Sequence, residues 1–248
     1  MAELRIPRCA GMTTKARDDN KDSGRTTKAR DDNEAGEPLL KVGLTGGIAA
    51  GKSAVGEMLV TLGAHLIQAD ALAHELMRPG EAVYQQVVRH FGAGILNADG
   101  TVNRARLAEA AFGGGNRPSR IQELNKIVHP VVVARQDAWM EEVGRREPHA
   151  IAIVEAALIL EAGAAKRFDR LVVVTCRPEQ RIERWAARMK VDLETARREV
   201  TRRMAAQLPD EEKIKVADYV IDNSGSIDET RKKAEEVYRL LVADEKSL

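Results

Sequence analysis

The stretch Gly43-Leu-Thr-Gly-Gly-Ile-Ala-Ala-Gly-Lys52-Ser53 constrains this chain more than any other. From Gly46 it reads G-x-x-x-x-G-K-S. An apolar run (Leu39, Leu40, Val42, Leu44) precedes it and a helical pattern (Val55, Met58, Leu59, Leu62) follows. That strand–loop–helix setting is what a phosphate-binding loop requires. Its glycines let the backbone wrap an anion with N–H groups pointing inward. The helix that begins there adds the positive end of its dipole. Gly46, Gly47, Ile48, Ala49, Ala50 and Gly51 are then the cradle. Lys52 supplies a point charge for the β- and γ-phosphates, and Ser53 a hydroxyl for Mg²⁺.

Composition narrows what such a loop serves. The chain has 248 residues and a formal net charge of +1, which gives no overall electrostatic case for nucleic acid or an anionic membrane. Aromatics make up 3%, too few for a base-stacking surface. No apolar run approaches a membrane span, and the N-terminus lacks a secretory h-region. Cys9 and Cys176 lie far apart, so a disulfide framework is not expected and a reducing, cytoplasmic setting fits. Residues 1–37 are polar, with almost no large apolar side chains, and are expected to be disordered. They carry a direct repeat, Thr13-Thr-Lys-Ala-Arg-Asp-Asp-Asn20 and Thr26-Thr-Lys-Ala-Arg-Asp-Asp-Asn33, which is too short for a solenoid.

From Leu39 the pattern alternates. A strand to about Thr45, a helix from Gly51 to Leu62 and a strand over 65–69 are expected, with Asp70 at that strand's carboxyl end. Residues 70–147 show almost no strand signal and read as a helical insertion, with breaks at Pro79-Gly80, at 97–100 and at Gly113-Gly-Gly-Asn. Pro130 is expected to kink the last of its helices. Strands resume at Ala150–Val154, continuing toward Leu160, then at Leu171–Thr175 and Tyr219–Asp222. Ser226-Ile-Asp-Glu229 is a capping box opening a final amphipathic helix. Strands alternating with helices imply a mainly parallel sheet.

Two features carry chemistry beyond the loop, each with a plainer reading beside it. Asp70, at the end of a strand bordering the ligand crevice, suits a general base or a Mg²⁺ partner. It equally suits a cap for the helix that follows. Arg184 and Arg188 share a helix face and suit a phosphate-clamping lid, or else a solvated face paired with Glu183, Glu194 and Glu199. His74 lies one turn beyond Asp70. Asn125-Lys126-Ile127-Val128 lacks the aspartate of a GTPase base-reading motif.

From about Leu39 to its last helix the chain resembles the dephospho-coenzyme A kinase family. The phosphate loop is similar, with Ala49-Ala50 where the family has G-S. Gln68-Ala-Asp70 resembles D-A-D, His129-Pro130 matches H-P, and Ala157-Leu-Ile-Leu-Glu161 resembles P-L-L-x-E. Arg184 and Arg188 match lid arginines, and Arg203-Met-Ala-Ala-Gln207 and Ala217–Gly225 resemble the closing motifs. The resemblance implies a P-loop kinase fold of the nucleoside-monophosphate-kinase type. Its five-stranded parallel sheet (within 38–69 and 148–248) carries the loop, a lid spans about 184–208, and the insertion (70–147) holds the acceptor. It implies transfer from ATP, with Mg²⁺, to the ribose 3′-hydroxyl of dephospho-coenzyme A. Asp70 is then the base, Lys52 and Arg184 the phosphate contacts, and Arg188 a second lid contact. His74, His129 and Glu161 fall on the acceptor side, and Asn223 and Gly225 near the adenine. Gln68, His74 and Ala157 depart from the family pattern. Another small-molecule P-loop kinase, or a nucleotide-binding protein without catalysis, are the alternatives. Oligomeric state is not legible.

Overall fold

The computed structural model describes residues 39–112 and 118–247, so the tail at 1–37 and the Gly113-Gly-Gly-Asn break lie outside the described residues. The first strand, β1 (Leu40–Gly46), is buried at every position but Lys41 and runs into the phosphate-binding loop. Helix α1 (Lys52–Thr61) leaves that loop, and β2 (His65–Gln68) returns to the sheet. Strands β3 (Ile151–Glu155), β4 (Arg170–Thr175) and β5 (Tyr219–Asp222) complete it in the order β2-β3-β1-β4-β5, every pairing parallel. β1 is therefore central, and its loop opens at the sheet's carboxyl edge, where open α/β sheets bind ligands.

Alternation along the strands builds two cores. Leu40, Val42, Leu44, Ile153, Val172 and Val174 face one side, against Val55 and Leu59 of α1 and Val237 and Leu241 of α9 (Ile227–Glu245). Ala152 and Val154 face the other, under Met140 and Val143 of α5 (Ile121–Arg146). Each fully buried leucine or valine contributes about 1.5–3 kcal/mol. The Ser226 capping box forms with both halves present and starts α9.

Between β2 and β3 lie α2 (Ala69–Leu76), α3 (Ala82–Phe91), α4 (Arg104–Phe112) and α5. Leu72, Leu76, Val83, Val87, Ile95, Leu107 and Val132 give them a core of their own. Helix α5 continues through Pro130 without ending. After β4 come α6 (Pro178–Met189), α7 (Leu193–Ala205) and α8 (Asp210–Lys215).

Two expectations are corrected. β3 stops at Glu155 rather than continuing toward Leu160. Its last paired residue, Glu155, faces Leu44 of β1 and Gln68 of β2; β2 turns into α2 there, while β1 runs on to Gly46 paired with β4 alone. The chain instead closes turns at Ala162 N–H to Leu158 O and Gly163 N–H to Leu160 O. β2 likewise ends at Gln68, which is the N-cap of α2 and makes no side-chain capping bond. Asp70 is therefore inside the first turn of that helix and is not its cap.

Candidate active site

The loop geometry is set by close backbone approaches. Gly51 has φ 96° and caps α1, and a Cβ there would run into the Asn223 amide. A Cβ on Gly47 would run into the Arg181 guanidinium. Ala49 takes φ 53°, a left-handed conformation that costs a residue with a Cβ about 1–2 kcal/mol. The half-buried Lys52 donates to Gly46 O and Gly47 O, both at 3.1 Å, which curls its side chain over the loop. Burial pulls its pKa below the ordinary lysine range. The nearby Glu155 and Asp70 oppose that, and the Lys213 and Arg181 charges add to it.

Beside the loop, Lys52, Ser53, Gln68, Asp70, Glu155 and Ala157 line a cleft of about 80 Å³. Glu155 is its floor. The residue is 8% exposed, and its carboxylate accepts from Ser53 Oγ at 2.8 Å and from Gln68 Nε2 at 2.9 Å. Sequence reasoning missed Glu155, because it is the last residue of an apolar run and belongs to no motif. Its adjacency to Ser53 comes only from the pairing of β3 beside β1. The exposed Asp70 opens onto the same cleft.

Next to it, on the helical side, His74, Arg78, Arg104, Leu107, Phe112 and Leu124 are among the residues around a larger cavity of about 300 Å³. Its wall is mainly apolar, with two guanidiniums exposed at the rim. The His74 imidazole is held below its usual pKa by burial and by Arg104, against the pull of Asp70. His129 is exposed on α5 and lines neither cavity.

Arg184 reaches the loop, not solvent: it donates to Ala50 O at 3.3 Å and to Asn223 O at 2.9 Å. Arg188 lies 4.9 Å over the Trp185 ring and Arg203 lies 4.6 Å from it, so two guanidiniums stack on one indole. The plainer pairing does hold for Arg202 and Arg203, which bind Glu199. Asn223 is buried, donating to Ala50 O and accepting from Thr230 Oγ1, both at 2.9 Å. It braces the loop from below. Gly225 leaves room for the Glu229 carboxylate that completes the capping box. Glu161 accepts the Leu208 N–H and sits 3.0 Å from the wholly buried Lys213 ammonium, so its carboxylate ties α8 to the turns that follow β3.

Against known proteins, the dephospho-CoA kinase family pattern matches residues 40–229. The chain belongs to the dephospho-CoA kinase family. The dephospho-CoA kinase of Aquifex aeolicus (strain VF5) is 38% identical over 204 residues, 82% of this chain and 98% of that relative. That of Carboxydothermus hydrogenoformans is 40% identical over 190 residues, covering 77% and 88%. The crystal structure of TT1252 from Thermus thermophilus superposes with a TM-score of 0.67 at 31% identity, covering 82% of this chain and 97% of that one. A dephospho-CoA kinase from Campylobacter jejuni shares the fold at a TM-score of 0.53 and 24% identity, over 82% of this chain and 97% of that one. The five-stranded parallel sheet is thus that of a P-loop kinase, and the protein is a phosphotransferase. Among the described residues no helix is long and apolar enough to cross a membrane.

Proposed function

We propose that this dephospho-CoA kinase family member transfers the γ-phosphoryl group of ATP to the ribose 3′-hydroxyl of dephospho-coenzyme A, in the cytoplasm, as the last step of coenzyme A synthesis. The observation that carries the reading is the juxtaposition of the two cavities. The small cleft joins a phosphate loop to two carboxylates, and the larger one beside it offers apolar walls with a cationic rim. A nucleotide with a long, partly apolar arm and a diphosphate suits that second cavity, with Arg78 and Arg104 toward the diphosphate. The domain reading that goes with this has a kinase domain over 38–248 whose insertion at 70–147 binds the acceptor.

The donor set of Ser53 Oγ and the buried Glu155 carboxylate is hard oxygen, which fits Mg²⁺ bound alongside phosphate and water. Held by Ser53 and Glu155, such an ion would supply positive charge against the negative charge that develops on the transferring group. Asp70 takes the proton from the 3′-hydroxyl. Lys52 and the loop N–H groups hold the β- and γ-phosphates. Arg184 and Arg188 bring the lid over the transferring group and exclude water. An adjacent phosphate would restore the Lys52 pKa that burial lowers.

The deciding experiment is a coupled assay for ADP release with dephospho-coenzyme A, shikimate, gluconate and nucleosides as competing acceptors. Turnover with dephospho-coenzyme A alone supports the reading. Turnover with another acceptor, or ATP binding without any transfer, replaces it with one of the two alternatives.

A further inference from the structure

Gln207 follows α7 and turns back toward the phosphate loop, where its Oε1 accepts the Ile48 N–H at 3.2 Å. The Ile48 side chain is buried among Ile182, Trp185, Ala196 and Val200, the apolar seam between α6 and α7. One loop residue is thus held twice by the same part of the fold, through its side chain and through its N–H. The segment carrying Gln207 is itself pinned. Leu208 N–H donates to Glu161 at 3.0 Å, Glu161 faces the buried Lys213, and Asp210 pairs with Arg181, which presses on Gly47. Gln207 cannot drift without moving these contacts.

We propose that Gln207 is a positioning residue for phosphoryl transfer: through Ile48 it keeps the first half of the phosphate loop in register with the arginine lid. A loop N–H with a fixed acceptor does not swing, so the N–H groups that follow it stay aimed at the phosphates before ATP arrives, and preorganisation of that kind is what makes such donors effective. A neutral amide suits the place. Its oxygen accepts the N–H without setting a negative charge beside the triphosphate, as a carboxylate would. The inference rests on the ATP-dependent kinase reading above.

The test compares Gln207→Leu, Ile48→Ala and the double variant by calorimetric ATP titration, steady-state kinetics and thermal melting. For Gln207→Leu, loss of one hydrogen bond and of loop order weakens ATP binding about fivefold. Turnover falls by about tenfold as the loop loses its preset geometry, with KM for the acceptor within about twofold of wild type. Because Gln207 and the Ile48 side chain restrain the same loop residue, the two changes have non-additive effects on ATP binding in the double variant. Unchanged ATP affinity in a normally folded Gln207→Leu protein overturns the proposal. So do fully additive effects, or an equal loss for both substrates accompanied by a large drop in melting temperature, since those mark a merely structural brace. Wild type that binds ATP but does not phosphorylate dephospho-coenzyme A counts against the acceptor assignment alone. Wild type that does not bind ATP overturns both.

Discussion

Ala49 holds a left-handed backbone at the tip of the phosphate loop, where the family pattern has glycine. Glycine reaches that conformation without the Cβ clash but loses more entropy on folding. The balance favours glycine, and Ala49→Gly is expected to raise stability by about 0.5–1 kcal/mol, read as a melting temperature a few degrees higher. Asp70 and Glu155 separate by their surroundings. Asp70 makes no capping bond and is exposed, so Asp70→Asn is expected to leave melting unchanged while turnover falls by about 10²–10⁴. Glu155→Gln keeps an acceptor for Ser53 and is expected to raise the Mg²⁺ concentration needed for half-maximal turnover. The reverse pattern, with Mg²⁺ dependence shifted by the Asp70 change, would exchange their roles. His74 gives a pH signature. Its folded pKa lies below the unfolded 6.5, so on acidification the unfolded chain takes the proton first. Its contribution is nil well above that value and destabilising as pH falls through and below it. His74→Gln is expected to flatten the acid side of the stability–pH curve, measured by denaturant titration from pH 7.5 to 5.

At the scale of elements, the α6–α7 pair is amphipathic in an unusual direction: its apolar seam reaches down to Ile48 in the phosphate loop instead of closing on itself. The charged face is divided. Arg202 and Arg203 are occupied by Glu199, whose carboxyl the Arg202 and Arg203 hydrogen bonds hold down at about 2. Arg184 is turned inward onto two loop carbonyls. A lid arginine that acted only on the closed state would change turnover alone. Arg184 also braces the ground-state loop, so Arg184→Ala is expected to lower turnover by about 10²–10³ and to weaken ATP binding several-fold as well. Stopped-flow nucleotide binding alongside steady-state rates distinguishes this from a solvated helix residue, for which both would stay at wild-type values.

For the whole molecule, residues 1–37 lie ahead of the family match, which begins at residue 40. Their composition offers nothing for a core, so deletion of 1–37 is expected to leave turnover and melting temperature within error of the full chain. A marked fall in either would give the tail a role. Much of the remaining molecule was legible in the linear order of residues. The phosphate loop and the capping box before α9 are local devices. Glycine spacing and a Ser–Glu pair three apart act over one turn of backbone, so their meaning does not depend on distant residues. The alternation of apolar strands with helices was likewise enough for a parallel sheet. What only the tertiary structure decided is which distant residues complete the site. Glu155 meets Ser53 across 102 positions because β3 lies beside β1, and Gln207 meets Ile48 across 159 because the segment after α7 folds back against the loop. Where β3 ends was also a tertiary matter: its pairing with β1 and β2 finishes at Glu155, although apolar residues follow. Local sequence sets backbone preference, while strand order and burial set which side chains are left together, and the second is invisible until the chain has closed on itself.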